Sequence, residues 1–216
     1  MNAYAPGTNR SAVIFPTKVE RISHDWPLLS DEDLVRGCAR GENAALEELV
    51  RRYQPMLSRF LARLLQSPED TEEAVLSVFL RVWQHASRFQ HRALVRTWLY
   101  RIAANIAHDL QRQKRSRPVQ TPDWREDCAS DSIDIEQEAI GHLERQERAE
   151  ALIRALEALN PNDRLLLVLY YYEQRDYDEI QAIMSLSYTI LKTRLTRARR
   201  RLRDHLEITT AEASLP

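Results

Sequence analysis

Apolar residues recur along this chain at three- and four-residue spacing over several long stretches, the period of helices that bury one face. Ser30 reads as the first N-cap, with Asp31, Glu32 and Asp33 at the positive end of the helix dipole. After Gly41, the set Ala45, Leu46, Leu49, Val50, Tyr53, Leu57, Phe60, Leu61 and Leu64 predicts a long core-facing helix, which Pro55 should kink. Glu47 and Glu48 stand four residues before Arg51 and Arg52, the favourable order for surface ion pairs. Ser67-Pro-Glu-Asp70 opens another helix with a Ser cap, a Pro at the first position and an acid at the third. Its stripe is Val75, Val78, Phe79, Val82 and Trp83. A loop from about Arg88 to Val95 leads into a helix carrying Trp98, Leu99, Ile102, Ala103, Ile106 and Leu110. That helix ends in Arg112, Lys114, Arg115 and Arg117, and Pro118 stops it.

From Pro118 to Glu138 the periodicity lapses and acids accumulate: Asp123, Glu126, Asp127, Asp131, Asp134, Glu136 and Glu138, with two prolines. This is the composition of a negatively biased linker. Helical patterning resumes from Ile140 to Leu159. Asn160-Pro-Asn-Asp163 caps the next helix, which buries Leu165, Leu166, Val168 and Leu169. Asp176 and Glu179 form a capping-box pattern for a short helix with Ile180 and Ile183. After a turn of about three residues comes a final helix, Ser187 to His205. The pattern therefore predicts an all-α chain of two small helical domains. We place a flexible extension at 1–29, a first domain at 30–117, the acidic linker at 118–139, a second domain at 140–207 and a tail at 208–216. There is no internal repeat.

Composition agrees with this class, since glycine is scarce and charged residues are plentiful. The overall balance, 31 Lys and Arg against 32 Asp and Glu, carries no nucleic-acid signal, so only local placement of charge can. Cys38 and Cys128 lie far apart without companions at metal-ligand spacing, which argues against a disulfide scaffold or zinc site and for a reducing cytosol. The apolar runs Ala12 to Phe15 and Leu165 to Tyr172 are too short for a signal-peptide core or a membrane span. A cytoplasmic protein is expected. Catalysis is not: no His-Glu-x-x-His pattern or glycine-rich phosphate loop is present, and Glu72 and Glu73 are adjacent, so they cannot face each other across a site. We expect no cofactor, no metal and no small-molecule substrate.

Two constellations point to nucleic acid. In the last helix Leu191, Leu195, Ala198, Leu202 and Leu206 form one apolar stripe, which leaves Lys192, Arg197, Arg199, Arg200 and Arg203 largely on other faces. A stripe that anchors and cations that reach phosphates and guanine edges suit a helix-turn-helix on duplex DNA. A solvated cationic face or a partner-binding coil would share the pattern, and Ser185 stands in the turn where glycine is common. The second constellation, Arg96 to Arg117, interleaves Trp98 and Tyr100 with cations, as stacking on unpaired bases favours. Trp98 shares the stripe of Ile102, so a core role competes with a binding role there.

Arg51-Arg-Tyr-Gln-Pro55, Pro68-Glu-Asp70 with Val78-Phe-Leu-Arg-Val-Trp83, Thr97-Trp-Leu-Tyr-Arg-Ile-Ala103, and Asn105 with Asp109 resemble region 2 of bacterial sigma factors of the extracytoplasmic-function class. Tyr177-Asp-Glu-Ile180 and the run Lys192 to Leu202 are similar to region 4 of that class. The resemblance covers about Asp31 to Leu206, in order and with the linker in place. It implies that the helix from Ser67 to His85, through Glu73, Leu76, Ser77, Leu80 and Arg81, docks on the β′ clamp helices of core RNA polymerase, with a second contact on the β flap. It implies that Arg96, Arg101, Asn105, Arg112, Lys114 and Arg115, with the loop Phe89 to Val95, open and read the promoter −10 element, where extruding a base costs a few kcal/mol. Tyr188, Thr189, Lys192, Thr193, Arg194 and Arg197 would read the −35 element as duplex, the acidic linker would lie in polymerase channels, and an anti-sigma factor is an expected partner.

The chain departs from the class in places. Leu76 and Ser77 stand where a Gln-Glu pair is usual, and Val95 where the loop usually ends in an aromatic. Asp176 replaces a Ser, Ser185 a Gly, and Ile190-Leu191 a Thr-Val pair. The leading reading is an alternative-type sigma factor that directs transcription initiation. A helix-turn-helix regulator that has lost polymerase docking and a sigma-like adaptor are the competing ones.

Overall fold

The structure, a computed structural model, describes residues 25–89, 94–116 and 149–213, with side chains described as far as Lys114 and Ile208 in the last two stretches. Among the described residues eight α-helices follow in order: α1 (Asp31–Ala39), α2 (Asn43–Leu65), α3 (Pro68–His85), α4 (Val95–Ser116), α5 (149–158), α6 (Pro161–Leu167), α7 (Tyr177–Met184) and α8 (Tyr188–Ala213). No strand occurs among the described residues. The acidic segment and residues 140–148 lie outside them.

Local chemistry sets the helix starts. Ser30, Ser67 and Asn160 each accept a backbone N–H three residues on, and Pro68 and Pro161 take the first helical position, where a missing donor costs nothing. Asp176 and Glu179 complete a reciprocal capping box on α7. Pro55 sits inside α2 on its exposed side without ending the helix.

α1 to α4 pack around one core. Leu34, Leu49, Leu57, Phe60, Leu61, Val78, Val82 and Leu99 are fully buried, and the Phe60 and Tyr100 rings meet edge to face at 4.9 Å. α1 crosses α2 so closely that a Cβ on Gly37 would fall 2.6 Å from that of Ala45, and only glycine fits there. The C-terminal half extends the same buried cluster with Leu156, Leu166, Leu167, Leu169, Ile180, Ile183, Leu191 and Leu195. α6 passes into a π-helical turn, Val168–Tyr172, before the loop to α7. The two halves touch, α4 lying against α7 and α6, and the end of α2 against α6.

Several expectations change in detail. The segment read as flexible to Leu29 is structured from Trp26: a 3-10 turn, Trp26–Leu28, is tied down by the Arg52 guanidinium, which donates to the carbonyls of Trp26, Pro27 and Leu29. The tail placed at 208–216 is helical through Ala213, because Ala211, Glu212 and Ala213 are compatible with helix and nothing stops α8 sooner. Of the two acids placed before Arg51 and Arg52, Glu48 takes both arginines, at 2.7 and 2.6 Å. Leu165 is only half-buried, and Leu167 fills the core beside Leu166.

Candidate nucleic-acid interface

α8 is anchored by few residues and presents many. Leu191, Leu195 and Ala198 are buried, with Leu202 partly so, at the spacing of one narrow stripe. Tyr188, Thr189, Lys192, Thr193, Arg194 and Arg197 are all exposed on the remaining surface. Arg194, Arg197 and Arg201 line a recess of about 230 Å³ with Asn160, the cap of α6, and with Asn162 and Asp163 of its first turn. Of these guanidinium groups Arg194 and Arg197 are the ones that can meet a backbone phosphate, because the Asp163 carboxylate also lines the recess and takes Arg201. Arg201 is itself tied to the buried carboxylate of Asp163, which fixes α8 on α6. Arg199 does not join the exposed cations: its guanidinium lies over the Tyr170 ring, 5.0 Å from the centroid.

The turn before α8 is short and strained. Ser185 caps α7 at φ 54, the left-handed region that favours glycine, and its N–H donates to the Gln181 carbonyl. The Tyr188 ring meets that of Tyr177 at 5.7 Å, so α7 and the start of α8 are held by side chains as well as by the turn.

α4 has the opposite build. Val95, Leu99, Tyr100, Ile102, Ala103, Ala104, Ile106 and Ala107 are all buried, leaving a thin polar strip. Arg101, Asn105, His108 and Arg112 recur every turn along that strip and are exposed. Arg96 and Lys114, assigned to the same task, fall on a different side of the helix, and Lys114 pairs with Asp70 of α3. The Arg115 side chain lies outside those described. Arg112 bonds back to Asp109 at 3.5 Å. Trp98 is half-buried with its ring 4.9 Å from that of Phe89, closer to the core reading than to an open stacking platform. Val95 is a core residue.

On α3, Glu73, Leu76, Ser77 and Leu80 recur at helical spacing along one outward face, with Arg81 half-buried beside them. Leu76 is 72% exposed and Leu80 57%, two large apolar side chains one turn apart in solvent.

Electrostatics separates structural groups from available ones. The Glu48 carboxyl is held down to about 2, first by its hydrogen bonds from Arg51, and this exceeds the opposing effect of desolvation. Burial, then a hydrogen bond to Glu173, pushes the Tyr100 phenol above its ordinary range, and burial with Asp31 does the same for Tyr53. Burial raises the Cys38 thiol to about 11, so it is inert.

Sequence reasoning missed Arg164. It is 8% exposed and donates to the carbonyls of Leu156 and Glu157, at 2.9 and 2.7 Å, and to that of Leu64 at 3.0 Å. The available signal was faint: Arg164 neighbours Asp163 in the capped first turn, next to the apolar run that starts at Leu165. Glu173, which receives the Tyr100 hydroxyl at 2.5 Å, gave no signal at all.

Comparison with known proteins fits this geometry. The Sigma-70 region 2 family model matches residues 49–117, and the Sigma-70 region 4 model matches residues 149–202. The chain is 30% identical over 196 residues to the ECF RNA polymerase sigma factor SigE of Mycolicibacterium smegmatis, covering 88% of this chain and 74% of that protein. It is 30% identical over 166 residues to the sigma factor CarQ of Myxococcus xanthus, covering 77% and 91%. Among solved structures, CnrH in complex with the cytosolic domain of CnrY has the same fold, with TM-score 0.58 and 23% identity over 82% of this chain and 97% of that one. The chain belongs to the sigma-70 family of RNA polymerase sigma factors, in its extracytoplasmic-function class. Members of this family are not enzymes. Because region 2 is matched as well as region 4, a reading reduced to the helix-turn-helix alone is not favoured. Among the described residues no helix is long and apolar enough to cross a membrane.

Proposed function

We propose that this chain is an alternative-type sigma factor that joins core RNA polymerase in the cytoplasm and directs it to promoters. The observation that carries the reading is α8, an exposed cationic surface anchored by a narrow stripe and preceded by a capped helix and tight turn. Tyr188, Thr189, Lys192, Thr193, Arg194 and Arg197 read the −35 duplex. Arg101, Asn105 and Arg112 on the α4 strip read the −10 strand, with Arg96, Lys114 and Arg115 acting at its flanks. Glu73, Leu76, Ser77, Leu80 and Arg81 dock on the β′ clamp helices, where Leu76-Ser77 stands in place of a polar pair and Leu76 and Leu80 supply apolar area, and the C-terminal half engages the β flap. An anti-sigma partner follows from the class, and CnrH, a structural neighbour, is seen bound to CnrY. The working division is 30–117 for the polymerase and −10 domain, 118–139 for the linker and 140–207 for the −35 domain.

Purified chain mixed with core enzyme should elute as a stable complex and support run-off transcripts from a cognate promoter. Absence of any association would overturn the proposal.

A further inference from the structure

A helix anchored by one narrow stripe is free to roll about it. Leu191, Leu195, Ala198 and Leu202 together span about 60° of the circumference of α8, at about 100° per residue. So thin a seam does little to oppose rotation about the helix axis, and that rotation decides which side chains meet a base edge. At a radius of about 5–6 Å, a roll of about 20° carries a side chain roughly 2 Å sideways. The useful range of a hydrogen-bond length is only about 0.5 Å, so such a roll breaks the contact.

The flanks of the stripe supply what the seam lacks. Arg201 lies about 90° from the centre of the stripe on one side. It pairs with the buried Asp163 carboxylate, to which the Asn160 cap also donates at 2.7 Å, so α6 grips that flank through charge. Tyr188 and Arg199 lie about 50–70° from the centre on the other side, and there the grip is aromatic. The Arg199 guanidinium stands 5.0 Å from the Tyr170 centroid and 5.5 Å from that of Tyr171, two rings packed edge to face. Its Nε is buried without a hydrogen-bond partner among the described residues, which leaves the rings to hold it. Tyr170 also meets Tyr177 at 5.9 Å, and Tyr177 meets Tyr188 at 5.7 Å. The series Arg199, Tyr170, Tyr177, Tyr188 thus leaves α8 near its middle, crosses the π-helical turn and the first residue of α7, and returns to the first residue of α8. Both ends sit on one flank, so α8 cannot roll without parting or crushing a ring contact.

We propose that Arg199 is a positioning residue for duplex recognition: through Tyr170 and Tyr177 it fixes the roll of α8, opposite the Arg201–Asp163 pair, and so sets whether Lys192, Thr193 and Arg197 meet base edges. The inference rests on the reading of α8 as the −35 helix. Arg199 makes no contact with DNA in this role, because its guanidinium is held on two rings. A phosphate contact and a positioning residue differ in what their loss does. Losing the first weakens every sequence alike and lowers the salt dependence; losing the second blurs the choice among sequences and leaves the salt dependence alone.

The test uses the full chain joined to core enzyme and a library of short duplexes randomised at their centre, with the bound fraction sequenced. The wild type should enrich a motif, and Arg197→Ala marks the part of it that α8 reads. Arg199→Met and Tyr170→Leu should each lower the ratio of motif to random-duplex affinity about three- to tenfold, the bias that a cation over two rings can impose. The salt dependence should not change in either. Tyr170→Phe keeps the ring and should restore the wild-type ratio. The double variant Arg199→Met/Tyr170→Leu should lose no more than either alone, since both break one contact. Circular dichroism checks folding, and either single variant carries the test if the other does not fold. If Arg199→Met weakens all duplexes alike and lowers the salt slope by about one, Arg199 is a phosphate contact and the positioning role is overturned. A motif that survives both variants unchanged overturns it as well. A wild type that enriches no motif removes α8 from the −35 role and the positioning with it, while run-off transcription still reports the function.

Discussion

α4 and α8 both present cations to solvent, yet they are built in opposite ways. α4 buries eight apolar residues and Thr97 between Val95 and Ala107 and keeps a single polar strip, part of which lines a cleft against α6 and α7. α8 buries Leu191, Leu195 and Ala198 and leaves most of its circumference exposed. A helix held by a wide face is rigidly placed but has little surface to offer. One held by a narrow stripe offers nearly everything and depends on a few anchors. The first arrangement suits a strand laid along one line, the second a helix inserted into a groove.

The largest expected effect tests that dependence. Leu195→Ala should cost about 2–5 kcal/mol of stability in thermal unfolding and abolish duplex binding with it. Leu99→Ala should destabilise by a similar amount, but α4 should stay docked on its remaining neighbours. If Leu195→Ala leaves the melting profile intact, the stripe is not the anchor. Next, Arg197→Ala should weaken −35 duplex binding by about 1–3 kcal/mol, as loss of a base-edge contact does. Exposed Arg59 of α2 should change it by less than about 0.5 kcal/mol when replaced by Ala. Equal effects would take α8 out of the groove.

Smaller still, Asp176→Ala removes half of the capping box and should cost about 1 kcal/mol of stability, with α7 and the turn loosened together. The subtlest effect separates the halves by pH. The Glu48 carboxyl, at about 2 against an ordinary 4.5, favours the folded state above 4.5, and this is lost as pH falls through 2. Glu48→Gln should therefore melt below the wild type at neutral pH, with the gap closing between about pH 4.5 and 2. A gap independent of pH would mean that packing, not charge, sets the role of Glu48.

What was legible in the sequence is what local chemistry determines. Ser30, Ser67, Asn160 and Asp176 announce their helices because a cap and its partner lie three residues apart. The stripe of α8 and the exposure of its six assigned residues follow from period alone. The division of the α4 set was also within reach, since rotation about the helix separates Arg96 and Lys114 from Arg101. Arg164 and Glu173 were not. Their partners stand 100 and 73 residues away, and no spacing rule reaches across such separations. Arg199 was misplaced for a related reason: a cation can leave solvent when an aromatic face from another helix is there to receive it.

Ser185 joins two of these themes. A serine in the left-handed region bears a conformational penalty of about 1 kcal/mol that glycine would not. Glycine there would relax the turn and firm up the helix-turn-helix by itself. It would also delete the hydroxyl that Arg101 holds. One side chain thus trades local comfort for grip between the halves, and the variant that most improves the reading head would be the one that lets it swing free.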